Sequence, residues 1–148
     1  MDEHAYRQVL ASTPCLCPFE KALLSGCVAC SQQNSRQIAE RVVLGCHSAV
    51  SQSVCVSLRD AFRQNFTFAL GRAHIDGPLP HAQEMRMQCG GLKGLQQVLS
   101  GCVDVSDVAE LILQAKRNYG ELEQFPFMQI VHASKTSYRY RASLVERR

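Results

Sequence analysis

Eight cysteines in 148 residues constrain this chain more than anything else in it, because thiols at that density are oxidised, metal-bound or reactive more often than merely packed. Which of these applies depends first on compartment. The chain opens Met1-Asp2-Glu3-His4 and reaches Thr13-Pro14 without the basic and apolar run of a secretory leader, so a cytoplasmic location is expected. Thiols stay reduced there, and an array of them reads as metal-binding or redox-active before it reads as a disulfide framework.

The spacing is Cys15-x-Cys17, nine residues, Cys27-x-x-Cys30, fifteen residues, Cys46, eight residues, Cys55, thirty-three residues, Cys89, twelve residues, Cys102. Short knuckles let two thiolates approach one centre from a single turn of chain. Zinc is weakened by the continuation: a second knuckle would place the partner of Cys46 near position 49, which is Ala49, and His47 adjoins Cys46 too closely to share an ion comfortably. Recruitment of Cys55 keeps zinc open as the alternative. An iron–sulfur cluster, of the 4Fe-4S type, tolerates the irregularity better, because its ligand directions diverge and thiolates can come from separate segments. Cys17-Pro18 echoes one ferredoxin-type ending, and Cys89-Gly90-Gly91 is expected to free backbone N–H groups for a cluster sulfur. The expected ligands are Cys17, Cys27, Cys30, Cys46, Cys55 and Cys89, with Cys15 and His81 undecided. Cys102 extends a leucine stripe and is expected to be an ordinary buried thiol. Copper(I) also suits such ligands.

Apolar periodicity points to a mainly helical, all-α bundle of one domain over residues 1–134, followed by a basic tail over 135–148. A short helix follows Cys17-Pro18 and stops at Gly26; a second is expected over Ser35–Gly45, with Ile38, Val42 and Cys46 on one face. The longest, over Ser51–Ala73, carries Cys55, Leu58, Phe62, Phe66 and Ala69 inward. The prolines and glycine of His74–His81 make a loop, expected to continue past Met85 and Met87 to Gly91 as an ordinary surface crossover packing the two methionines, ahead of the alternative that it covers a metal site. Helices are then expected from Leu92, from the capping Asp104 and Asp107, and from Pro126. Nothing approaches the length of an apolar membrane span.

The net charge of +3 hides an asymmetry, since Lys135, Arg139, Arg141, Arg147 and Arg148 against Glu146 give residues 135–148 a charge of +4 and leave −1 for the rest. Such a tail suits an acidic protein redox partner by charge complementarity; the interleaved tyrosines of Tyr138-Arg139-Tyr140-Arg141 raise nucleic acid as a further partner, ranked behind it. Cys27-x-x-Cys30 lacks the strand–helix–strand surroundings of a thioredoxin pair, and Gly90-Gly91 with Gly94 matches no phosphate-cradling loop. No catalytic constellation emerges. The expectation is a small iron–sulfur protein acting in electron transfer or redox sensing for a partner enzyme system; the alternatives are a zinc-stabilised binding module and a thiol-based metal or sulfur carrier.

Overall fold

The computed structural model describes residues 15–138. Among these lie α1 (Glu20–Ser25), β1 (Gln33–Ile38), β2 (Arg41–Cys46), α2 (Ala49–Asn65), α3 (His81–Ser100), α4 (Val108–Tyr119), a 3-10 turn (Leu122–Gln124) and α5 (Phe127–Ser137). The chain is mostly helical, as the periodicity implies, but it is not purely so.

The helix expected over Ser35–Gly45 is instead an antiparallel hairpin. Gln33 pairs with Cys46 and the register closes at Ile38 with Arg41 across Ala39 and Glu40; Ala39 takes the left-handed backbone that so tight a turn demands (φ 56°). Ile38 and Val42 fall four apart and mimic a helix, yet Val42-Val43-Leu44 is equally an apolar run led by two β-branched valines and suited to a strand. Tertiary partners decide the outcome. The Cys17 N–H donates to the Leu44 carbonyl (3.0 Å) and the Cys46 N–H to the Cys15 carbonyl (2.8 Å), so β2 is flanked on its other edge by the segment before α1. The Leu44 N–H donates to Glu20 Oε2 at 2.9 Å. Val43 and Leu44 are both buried.

α3 departs from expectation too. It begins at His81, straight after Pro80, and runs without interruption through Gly90 and Gly91. The loop therefore ends eleven residues earlier than the glycines suggest (Pro80 against Gly91). Interior glycines weaken a helix by about 1 kcal/mol each relative to alanine, so their presence needs a cause. Close approach supplies it. A Cβ on Gly91 would stand 2.6 Å from the Phe62 ring, one on Gly94 2.5 Å from the Ile130 carbonyl oxygen, and one on Gly90 3.1 Å from Ser134 Cβ. Thus α2 and α5 lie directly on the backbone of α3, and Gly90 and Gly91 keep their N–H groups inside a helix rather than offering them to a cluster.

Phe62 of α2 is the hub of the core. Its ring meets Phe19, Phe66 and Phe127 edge-on, at centroid separations of 6.1, 5.9 and 6.2 Å. Leu58, Leu92, Leu95 and Ile130 are fully buried around it. α2 itself starts at Ser48, whose hydroxyl accepts from the Ser51 N–H (3.1 Å), and stops at Asn65, short of the Ala73 that the stripe suggests. Phe68 beyond its end is 94% exposed.

Three sequence signals map directly onto structure. Gly26 ends α1 in the left-handed conformation (φ 81°), Asp107 caps α4 by accepting from the Ala109 N–H (3.1 Å), and α5 starts after Pro126. α5 continues through Ser137, past Lys135 where the charge pattern begins the tail. Arg139, Tyr140, Arg141 and the rest of that tail, like the acidic start of the chain, lie outside the described residues. No helix among the described residues is long and apolar enough to cross a membrane.

Candidate functional site: four free thiols around one cavity

Four segments converge on one small cavity and each contributes a free cysteine. Cys17 comes from the turn before α1, Cys30 from the turn before β1, Cys46 from the last residue of β2, and Cys55 from the second turn of α2. Between them stand Phe19, Leu23 and Val108, so the wall is sulfur and hydrocarbon. Its volume is ≈ 20 Å³, about that of one water-sized body.

Local geometry explains how two of these thiols are aimed. The Phe19 N–H is directed at the Cys17 sulfur and the Gln32 N–H at the Cys30 sulfur, the same residue-to-residue-plus-two arrangement in both. The Ala109 N–H, at the start of α4, reaches the Cys30 sulfur as well. Such donors stabilise a thiolate and orient it, which is the part that outer hydrogen bonds play around metal-bound sulfur. The Cys30 turn is held from outside by Asp107, whose Oδ1 accepts the Ser31 N–H at 2.9 Å. Burial alone would raise the Asp107 carboxyl, but the donors from Ser31, Ala109 and Glu110 outweigh it and hold it below the usual carboxylate range. Cys46 donates its S–H to the Ser48 carbonyl (3.2 Å).

The electrostatics oppose bare thiolates. Burial pushes the Cys55 thiol up to about 12, and the neighbouring Cys17, Cys30 and Cys46 push it the same way. Cys17 is raised to about 11, again first by burial, and Cys30 is raised as well. Left to themselves these groups stay protonated at neutral pH. A polyvalent cation among them would reverse that preference, since each thiolate would then face compensating positive charge.

The six expected ligands divide unequally. Cys17, Cys30, Cys46 and Cys55 are brought together, while Cys27 and Cys89 are joined to each other as a disulfide (S–S 2.04 Å) across 62 residues. A sulfur in that bond is no thiolate ligand. The cause is the uninterrupted α3, which buries Cys89 in the core against the end of α1, where Gln88 also accepts the Ala22 N–H (3.1 Å) and ties the two helices. This pair departs from the all-reduced array that the expected cytoplasmic location implied. Cys102 is exposed rather than buried: α3 ends at Ser100 and Gly101 turns left-handed (φ 79°), so the leucine stripe stops before it. His81 is at the exposed start of α3, and Met85 and Met87 are buried within that helix instead of capping a metal.

Among the described residues, no three His, Cys, Asp or Glu side chains converge tightly enough to hold a single ion as they stand. The four sulfurs face a common space without closing on one point. The N–H donors from Phe19, Gln32 and Ala109 are the groups at this cavity that the sequence did not reveal, although Cys-Pro-Phe and Cys-Ser-Gln, each two residues past a cysteine, are where the first two arise. Set beside known proteins, the chain matches no protein-family model, no curated protein and no solved structure.

Proposed function

We propose that this chain is a small iron–sulfur protein that holds its cluster through Cys17, Cys30, Cys46 and Cys55 and transfers electrons to, or reports redox state for, a partner protein. The convergence of four free thiols, from four separated segments, on one sulfur- and hydrocarbon-lined cavity carries this reading. An all-thiolate donor set selects soft centres, zinc or iron–sulfur before magnesium or calcium. No three of these donors gather about one point as they stand, so a metal centre of either kind would require the cysteines to close on it. The apolar wall would shield a cluster from water, and the N–H donors at Cys17 and Cys30 would tune its potential. The basic residues from Lys135 onward suit an acidic contact on the partner.

One observation favours zinc as the second reading: a cavity of ≈ 20 Å³ has the volume of one ion, on which the thiols would still have to close, whereas a cluster needs the surrounding turns to open. Anaerobic reconstitution separates the two. Protein given ferrous iron and sulfide should develop broad absorption near about 400 nm and carry iron and acid-labile sulfide, which d¹⁰ zinc cannot imitate. Serine at Cys17, Cys30, Cys46 or Cys55 should abolish or sharply reduce uptake, and serine at Cys27 or Cys102 should not. Stoichiometric zinc with no sulfide would replace the cluster by a structural ion; full uptake in all four serine variants would remove the site altogether.

A further inference from the structure

Cys15 stands outside the four-thiol cavity yet directly across from one of its members. Leu16 and Gly45 form an isolated antiparallel bridge, flanked by the Cys17 N–H to Leu44 O bond (3.0 Å) and the Cys46 N–H to Cys15 O bond (2.8 Å). In that pattern Leu16–Gly45 is the non-hydrogen-bonded pair, and the next residues outward, Cys15 and Cys46, are tied by the single bond from the Cys46 N–H to the Cys15 carbonyl, with Cys15 itself turned out of strand conformation (φ 55°). Disulfides span Cα separations of about 4.4–6.8 Å, so the register permits a bond.

The two thiols also share an outlet. Both line a surface recess of ≈ 280 Å³ together with Asn34, Arg36 and His47, all three of them exposed. Cys46 and Gly45 line the inner cavity as well, so Cys46 forms part of the wall between the recess and the four-thiol site. A small solvent-borne oxidant can therefore meet Cys15 and Cys46 without entering the inner cavity.

We propose that Cys15 is a switch thiol: oxidation by a hydroperoxide joins it to Cys46, and the site thereby loses one of its four sulfur donors. This rests on the four-cysteine reading above. The Cys15 thiolate attacks one peroxide oxygen, the O–O bond breaks, and the released hydroxide takes up a proton to leave water and a sulfenic acid. Cys46 sulfur then attacks the Cys15 sulfur, the S–O bond breaks, and the departing hydroxide becomes a second water. Two thiols and one hydrogen peroxide give one disulfide and two waters, with sulfur oxidised and peroxide reduced.

The test exposes the full-length protein, reconstituted with iron and sulfide and also metal-free, to an equivalent of hydrogen peroxide. Tandem mass spectrometry of linked peptides then locates new disulfides while iron release is followed. A Cys15–Cys46 bond is expected in both preparations, accompanied by iron release in the first. Cys15→Ser should abolish that bond and slow iron release by about tenfold. Linkage of Cys46 to Cys17, Cys30 or Cys55 in its place, or iron release from Cys15→Ser at the unsubstituted rate, would overturn the switch. If the metal-free chain forms Cys15–Cys46 but no preparation takes up metal, the pairing stands while ligand withdrawal and the four-cysteine reading both fall.

Discussion

Along the seam between α3 and α5, helix meets helix so closely that glycine is required at the contact, with Gly94 beneath the Ile130 carbonyl and Gly90 beneath Ser134. Around the four thiols, placement depends on hydrogen bonds reaching from remote parts of the chain: Glu20 to the Leu44 N–H, Asp107 to the Ser31 N–H, and the Gln32 carbonyl to the His47 N–H (2.8 Å). Shape complementarity completes the first region by itself. The second is a frame, in which polar anchors fix the rim while the sulfurs face space. The Cys27–Cys89 disulfide staples one region to the other.

The seam should break hardest. In Gly94→Val a Cβ would sit 2.5 Å from the Ile130 carbonyl oxygen, and a backbone atom inside a helix cannot swing aside as a side chain can. Overpacking of this kind should cost about 3 kcal/mol or more, read as a fall in the urea midpoint. A change under about 1 kcal/mol would mean that α5 slides freely on α3, and the contrast between the regions would then be false.

The frame should yield less. Asp107→Ala removes the cap of α4 and the anchor of the Cys30 turn together, so a loss of about 1–2 kcal/mol is expected in urea unfolding. Its larger consequence should be functional, with reduced metal uptake because Cys30 loses its external support. Uptake unchanged despite the stability loss would show that the turn holds its own shape.

The ease of reading these regions from sequence tracks the distance over which their causes act. Cys17 and Cys30 lie in short turns and Cys55 lies on an inward helical stripe, so three of the four converging thiols carry local signals. For Cys46 the local pattern points to a helix where the chain forms a strand, because Ile38 and Val42 satisfy both periods and only β2's neighbours choose between them. The glycines of α3 misled for a related reason. Gly90 and Gly91 resemble a loop signal until Phe62 and Ser134, from other helices, are known to press on them. Pairing of Cys27 with Cys89 across 62 residues leaves no local trace.

A smaller effect, confined to the thiol region, should come from alkaline pH. The unfolded chain ionises cysteine near 9.0, whereas folded Cys17 and Cys55 hold their protons to about 11 and about 12 because they are buried. Their contribution to stability is therefore complete below that unfolded value and is lost as pH rises toward the folded ones, since the unfolded state releases protons first. Metal-free protein should lose melting temperature between about pH 8 and about pH 10.5 more steeply than a Cys17→Ala, Cys55→Ala double variant. Metal-loaded protein should not share that difference, because its thiolates are already formed, and should lose metal in acid instead. Equal slopes for the unsubstituted chain and the double variant would show that burial does not govern these thiols.

The smallest effect expected is at Cys102, and it serves as the control for the others. Its side chain is exposed because α3 stops at Ser100 and the left-handed Gly101 turns the chain out of the Leu92, Leu95 and Leu99 stripe. It neither lines the four-thiol cavity nor shares the recess of Cys15. Cys102→Ala should therefore change stability by no more than about 0.5 kcal/mol and leave metal uptake intact. In the native protein an alkylating reagent should modify Cys102 ahead of Cys17 and Cys55, whose burial both excludes the reagent and keeps their sulfurs protonated. Slower labelling at Cys102 than at Cys55 would place the 102 side chain back inside the core, and the end of α3 at Gly101 would have to be redrawn.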